Sequence, residues 1–291
     1  MAAPKWHEGP MVALDTETTG IDPTADRIVT ASMVWRVPGS RPRATTWVLN
    51  AGIPVPDEAA DVHGWTTDRL NNEVAPGHAT RHTQDGPPLT TSIERALDEI
   101  AGHTTLPMNQ GVPLVVHNAP YDLTLLEHEL ARASLQTLTA RPAGIAGVID
   151  PMVIEKAYDP YRKICHRAPG CDRENNHHEC GGCRGGKWKC GGCGALNKQL
   201  ASLCAHYGVG HTGAHDATAD ALAAIRLAGR LAEAWPDIAR LKLSTLHEKQ
   251  AGWRVEQQTS LAQFFRKVGK TAEADSCDTG WPLQTRTAVA A

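Results

Sequence analysis

Residues 11–18 read MVALDTET: four apolar residues run into Asp15 and Glu17, two positions apart. The run is bounded by Gly9 and Pro10 before it and Gly20 after it, so it reads as a β-strand. Alternation along a strand sends Asp15 and Glu17 to one face of the sheet. Two carboxylates side by side repel unless a cation lies between them; taken alone, the pair reads equally well as acids solvated at a strand end. Hard cations such as Mg²⁺ take oxygen ligands and only one or two carboxylates each, so a site for two ions needs further acids from elsewhere.

Working outward, RIVTASMVWRV (27–37) and RATTWVLN (43–50) have the same character and follow after short turns, which makes an antiparallel meander of three strands. A polar, partly helical stretch reaches Leu70, and NNEVAPGHATRHTQDGPP (71–88) has no periodicity and reads as a loop. Ile93, Leu97 and Ile100 set the phase of a helix. GVPLVVHN (111–118) is a buried strand, and PYDLTLLEHELARA (120–133) is a helix with Pro120 in its first turn. GIAGVIDPMVI (144–154) supplies a fifth strand, and LNKQLASLCAHYGV (196–209) a helix stopped by Gly208. The last strong helix begins near Asp216 and ends at Trp235, because Pro236 cannot continue it. Three strands followed by alternating helix and strand describe an α/β domain on a mixed five-stranded sheet flanked by helices.

The chain of 291 residues is 41% hydrophobic and 21% charged with no long like-charge block, which excludes collagen-like, coiled-coil and wholly disordered classes. Its organisation is a main domain over 8–236 interrupted by a Cys-rich insertion at 165–193, a helical extension over 237–270 and a loose tail over 271–291. The first ten residues lack the apolar stretch of a secretory leader, and no run approaches the ~18 apolar residues of a membrane span, so the expectation is a cytoplasmic protein without a membrane partner. The net charge of −3 is uneven: residues 1–164 carry 13 basic against 20 acidic side chains. A nucleic-acid partner would therefore be met through bound cations or the mildly basic later segments, not by bulk charge.

Two further acids fall where a site at the sheet end needs them. Asp122 follows the buried strand in the first turn of the next helix, a position the helix dipole favours for any Asp. Asp220 lies five residues after His215 in HDATADA (215–221). Five residues turn a helix through roughly 500°, so the two side chains converge only if His215 precedes the helix, with Asp216 as N-cap.

These residues carry a resemblance. DTETTG (15–20), HNAPYDLTLL (117–126) and HDATADA (215–221), in this order, resemble the three motifs of the DEDDh, or DnaQ-like, 3′→5′ exonucleases, over about residues 10–235 apart from the Cys-rich insertion. PVPDEAADVHGWTTDRL (54–70) is similar to that family's stretch after the third strand, with Glu58 and His63 in the matching places. The resemblance implies a ribonuclease H-like fold and a two-metal-ion hydrolase. Asp15 bridges two Mg²⁺ or Mn²⁺ ions, Glu17 and Asp220 complete the site of one, and Asp122 holds the other. His215 is the general base, with an ordinary pKa of about 6.5 suited to that role. Thr18, Glu58, His63 and Asn118 contact the terminal nucleotide. The product is a nucleoside 5′-monophosphate released from the 3′ end of DNA, in proofreading or repair. An exoribonuclease of short RNA stays open, as does a zinc-containing nucleic-acid-binding accessory of a polymerase.

Six of the eight cysteines lie between Cys165 and Cys193. Cys180 with Cys183 and Cys190 with Cys193 form two CGGC knuckles, whose glycines permit the turns that aim four thiolates at one structural Zn²⁺. Disulfides or an unliganded loop are the alternatives. Cys165, Cys171, His177 and His178, or His166, could furnish a second site. Arg184, Lys187, Trp188 and Lys189 sit between the knuckles, where they could hold a single strand. Cys204 falls on the apolar face of its helix. Near the C-terminus, Gln258, Leu261, Phe264 and Phe265 in QTSLAQFF have the spacing of sliding-clamp-binding peptides, and equally that of one face of an amphipathic helix.

Overall fold

The computed structural model describes residues 5–142, 144–160 and 198–285. The meander is present as β1 (Met11–Thr18), β2 (Ile28–Arg36) and β3 (Arg43–Asn50), with Asp15 opposite Ser32 and Glu17 opposite Thr30. Two short strands, β4 (Leu114–Val115) and β5 (Val148–Ile149) in spatial terms on the far side of β1, run parallel to it. An edge hairpin, His78–Thr83 and Gly86–Ser92, extends the sheet beyond β3.

The sheet therefore has seven strands, not five. The hairpin falls in the stretch that reads as a loop, because its residues are chiefly Thr, His, Arg, Gly and Pro and bury little besides Ala79. Its two prolines, Pro87 and Pro88, lie on the outermost strand, where a missing N–H deprives no neighbour. The strand expected over 144–154 pairs only at Val148–Ile149. Asp150 then caps the helix α1 (Pro151–Tyr158), accepting from the N–H groups of Met152 and Val153 at 2.9 and 3.3 Å.

Alternation along β1 divides the interior in two. Val12 and Leu14 pack with Leu97 and Ile100 of the helix Ile93–Asn109 and with Leu123 and Leu126 of the helix Ala119–Arg132. Met11 and Ala13 pack on the opposite face with Ala224, Leu227 and Leu231 of the helix Ala217–Ala234. Cys204, in the short helix Leu200–His206, is buried in this second core, and burial pushes its thiol up to about 12. Two short helices, Asp57–His63 and Thr67–Glu73, cover Val29 and Val48.

The long helix Leu243–Lys267 is fastened to the sheet edge by Gln250, which is fully buried. Its side chain donates to Val148 O at 2.9 Å and accepts from Asp150 N at 2.6 Å. The tail expected over 271–291 is part of the domain as far as residue 285. Thr271–Asp275 is helical, Asp278 is buried and accepts from Gly280 N and Thr285 N, and Trp281 and Leu283 pack on the first core. A run of small and polar residues conceals these anchors from a reading by periodicity. The Cys-rich insertion, with its proposed zinc ligands and Trp188, lies outside the described residues. Among the described residues no helix is long and apolar enough to cross a membrane.

Candidate active site

The two faces of β1 explain how four acids from distant parts of the chain approach one sheet end. Asp15 and Glu17 share the face of Met11 and Ala13, toward the helix Ala217–Ala234, whose first turn carries Asp220. Hydroxyls fasten that helix to the sheet: Thr218 lies 3.0 Å from Ser32 and 2.9 Å from Thr46. Carboxylate oxygens of Asp15, Glu17 and Asp220 consequently lie within 4.8 Å of one another. Thr16 points to the other face and donates to Asp122 Oδ1 at 2.7 Å. Asp122 stands apart from the trio, yet its charge is among the largest influences on Asp15.

Asp122 is delivered by an unusual helix start. Asn118 takes a left-handed conformation with φ 68° and opens the helix Ala119–Arg132. The Asp150 carboxylate accepts from the N–H groups of Asn118 and Ala119 at 3.1 and 3.0 Å, satisfying donors that a helix start leaves unpaired. Nothing about Asp150 in the sequence marks it as a partner of the second motif.

His215 lies before its helix, also left-handed with φ 66°, and Asp216 caps the helix by accepting from Ala219 N at 2.9 Å. The bend aims the His215 N–H at Asp220 Oδ2, 3.2 Å away, and leaves the imidazole exposed. Asp220 Oδ1 meets a second histidine, His211 Nε2, at 2.5 Å. His211 was not among the residues singled out from the sequence, although HTGAH places two histidines four residues apart.

Burial, then the neighbouring charges of Asp122, Asp220 and Glu17, hold the Asp15 carboxyl well above the usual carboxylate range. The same causes push Glu17 up to about 8, burial first and the Asp220 charge next. Burial raises Asp122 to about 7 against the opposing hydrogen bond from Thr16. Without a cation the cluster keeps protons near neutral pH.

Of the side chains matched to nucleotide contacts, Thr18 follows Glu17 on β1 and Asn118 opens the helix that carries Asp122. Thr18 and Tyr121 both donate to Gly20 O, at 2.7 and 2.5 Å, so the turn after β1 is bound to the helix carrying Asp122. A Cβ at Gly20 would lie 2.5 Å from Asp26 Oδ2, so a larger residue there would displace the carboxylate that Thr19 and Asp22 N hold. His63 accepts from Trp65 N at Nδ1, so its Nε2 carries the proton and donates to Thr18 O at 3.1 Å. One ring nitrogen of His63 thus ties it to the end of β1 and the other to its own loop at Trp65. Glu58 is exposed in the first turn of Asp57–His63, and Asn118 is half-buried at the helix start. Far from the cluster, Gln258 is buried within Leu243–Lys267 while Phe264 is 56% exposed, so the four clamp-peptide positions do not share one open face.

No family model matches the chain. A DNA polymerase III subunit epsilon-like protein of Rhodobacter capsulatus is 32% identical over 121 residues, which is 40% of this chain and 14% of that protein. Exonuclease I of Methylocaldum szegediense superposes with a TM-score of 0.56 at 18% identity, over 85% of this chain and 45% of that one. Escherichia coli exonuclease I in complex with a dT13 oligonucleotide gives 0.53 at 16% identity, over 79% of this chain and 42% of that one. The chain spans less than half the length of these solved proteins. At such identities the likeness is one of fold: a mixed seven-stranded sheet flanked by helices, similar to that of exonuclease I.

Proposed function

We propose that the chain is a metal-dependent 3′→5′ exonuclease that releases nucleoside 5′-monophosphates, with single-stranded DNA as its first substrate. The observation that carries this reading is the convergence of Asp15, Glu17 and Asp220, with Asp122 beside them. The donor set is anionic and all oxygen, which fits hard divalent cations such as Mg²⁺ or Mn²⁺. Asp15, Glu17 and Asp220 would hold one ion, and Asp122 with Asp15 a second. Bound ions supply a polarised phosphate, an activated water and neutralisation of the developing charge.

The remaining work belongs to the chain. An imidazole nitrogen of the exposed His215 takes a proton from the attacking water. The water oxygen bonds to phosphorus as the phosphorus–O3′ bond breaks, the leaving O3′ takes a proton from solvent water, and the strand ends one nucleotide shorter with a new 3′ hydroxyl. Thr18, Glu58, His63 and Asn118 form the wall against which the terminal nucleotide lies. The relative in complex with dT13 supports single-stranded DNA, and the relative named as a DNA polymerase III epsilon-like subunit supports work beside a polymerase acting in trans. Cys180, Cys183, Cys190 and Cys193 would supply four thiolates to a structural Zn²⁺.

The test is hydrolysis of 5′-labelled single-stranded DNA, duplex DNA and RNA with Mg²⁺, Mn²⁺ or chelator. Stepwise shortening of single-stranded DNA from the 3′ end, abolished by chelator, is the expected result. Activity on RNA alone reassigns the substrate, and no metal-dependent shortening of any substrate overturns the reading.

A further inference from the structure

We propose that His211 is a positioning residue for Asp220, holding that carboxylate in the orientation in which it joins Asp15 and Glu17 around a divalent cation. The inference rests on the metal-dependent reading above and adds a residue to it. Three like-charged groups whose oxygens lie within 4.8 Å push one another apart. Asp15 and Glu17 rise from a strand paired on both sides, and Asp220, in the first turn of its helix, would relieve the repulsion by turning away. Two donors prevent this, one on each oxygen: the His215 N–H on Oδ2 at 3.2 Å and His211 Nε2 on Oδ1 at 2.5 Å. One donor fixes a position; two on separate oxygens also fix the rotation of the carboxylate plane.

The pair is enclosed, with side chains 6% exposed for His211 and 13% for Asp220, so water does not compete freely for the bond. A carboxylate only accepts, so the proton must reside on Nε2 of His211. Positive φ at Gly208 (66°) and Gly213 (81°) folds the connecting loop back and brings His211 to the carboxylate. The two histidines divide the labour: His215 presents its imidazole to solvent and only its backbone to Asp220, whereas His211 gives its imidazole to Asp220. Partners that orient a metal's ligands typically change metal affinity by about 10–100-fold when removed.

The test compares the intact chain with His211→Ala, His211→Gln and His215→Ala by Mn²⁺ titration calorimetry, with activity on a single-stranded oligonucleotide as a second readout. The expected result is Mn²⁺ binding weakened about tenfold or more in His211→Ala and largely restored in His211→Gln, whose amide N–H reaches the same oxygen. Saturating Mn²⁺ then recovers kcat in His211→Ala. In His215→Ala, Mn²⁺ affinity holds while kcat stays low at every metal concentration. Wild-type Mn²⁺ affinity in His211→Ala, or a His211→Gln variant that folds yet binds no better than His211→Ala, overturns the positioning role and leaves the nuclease reading standing. An intact chain that binds no Mn²⁺ overturns both.

Discussion

Asp15 is the residue at which the demands of folding and of chemistry conflict most. It sits among Glu17, Asp122 and Asp220, and both burial and their charges oppose its ionisation. Asp15→Asn should therefore have opposite effects on activity and stability. Loss of the shared ligand should lower kcat at least about a hundredfold. Removing one charge from the cluster should raise the melting temperature in chelator at pH 8, by roughly 2–4 °C for each kcal/mol of repulsion relieved. Calorimetry beside a nuclease assay checks both, and a variant that is inactive but less stable in chelator contradicts this account. Much of this site was legible in the sequence because Asp15 and Glu17 obey the strand period and Asp216 obeys a capping rule. His211 was not, since its approach to Asp220 depends on loop torsions that leave no periodic trace. Asp150 was hidden for a related reason: its carboxylate reaches a helix start 31 residues away in the chain.

Helices and strands bring these residues together, and the long C-terminal helix Leu243–Lys267 takes part in this. Through Gln250 it binds the segment whose next residue, Asp150, caps one helix and steadies the start of another. Gln250→Leu keeps the volume and removes the side chain's three hydrogen bonds, with Asp150 N, Val148 O and Leu246 O, leaving Asp150 N–H and Val148 O buried without their partner. Each such group costs about 1–3 kcal/mol, so unfolding in urea should register a loss of about 2–5 kcal/mol. Were the helix an independent appendage, the substitution would fall within about 0.5 kcal/mol of neutral. The sequence shows amphipathic helical character here, but the docking joins Leu246 and Trp253 in the second core to polar contacts from His247, Gln250 and Gln257, which hydropathy does not register. The edge hairpin escaped notice on similar grounds: β-structure there rests on backbone pairing with β3, with almost no apolar alternation to betray it.

Across the whole molecule, the acidic first half supplies three of the four clustered carboxylates, and this couples stability to pH and metal together. Glu17 at about 8 and Asp122 at about 7 bind protons more tightly folded than unfolded, since their ordinary values are 4.5 and 3.8. The sign follows from linkage: a raised carboxyl stabilises the fold fully below its unfolded pKa, and that contribution is lost as pH rises through the folded value. In chelator the melting temperature should therefore fall from about pH 5 to pH 9, most steeply between about 5 and 7, where both groups are protonated in the fold and ionised in the unfolded chain. A divalent cation replaces the protons, and its contribution grows as RT ln(1 + [M]/Kd), about 2.7 kcal/mol at a hundredfold excess over Kd. Cation and proton compete for the same oxygens, so Kd itself tightens with pH. The loaded protein should thus show a nearly flat melting curve against pH, and the gap to the chelated protein should widen toward the alkaline end. Scanning calorimetry at five pH values with EDTA or Mn²⁺ measures that gap directly. A chelated protein whose melting temperature is flat from pH 5 to 9, or a gap that does not change with pH, would mean that the four carboxylates do not share a site in solution.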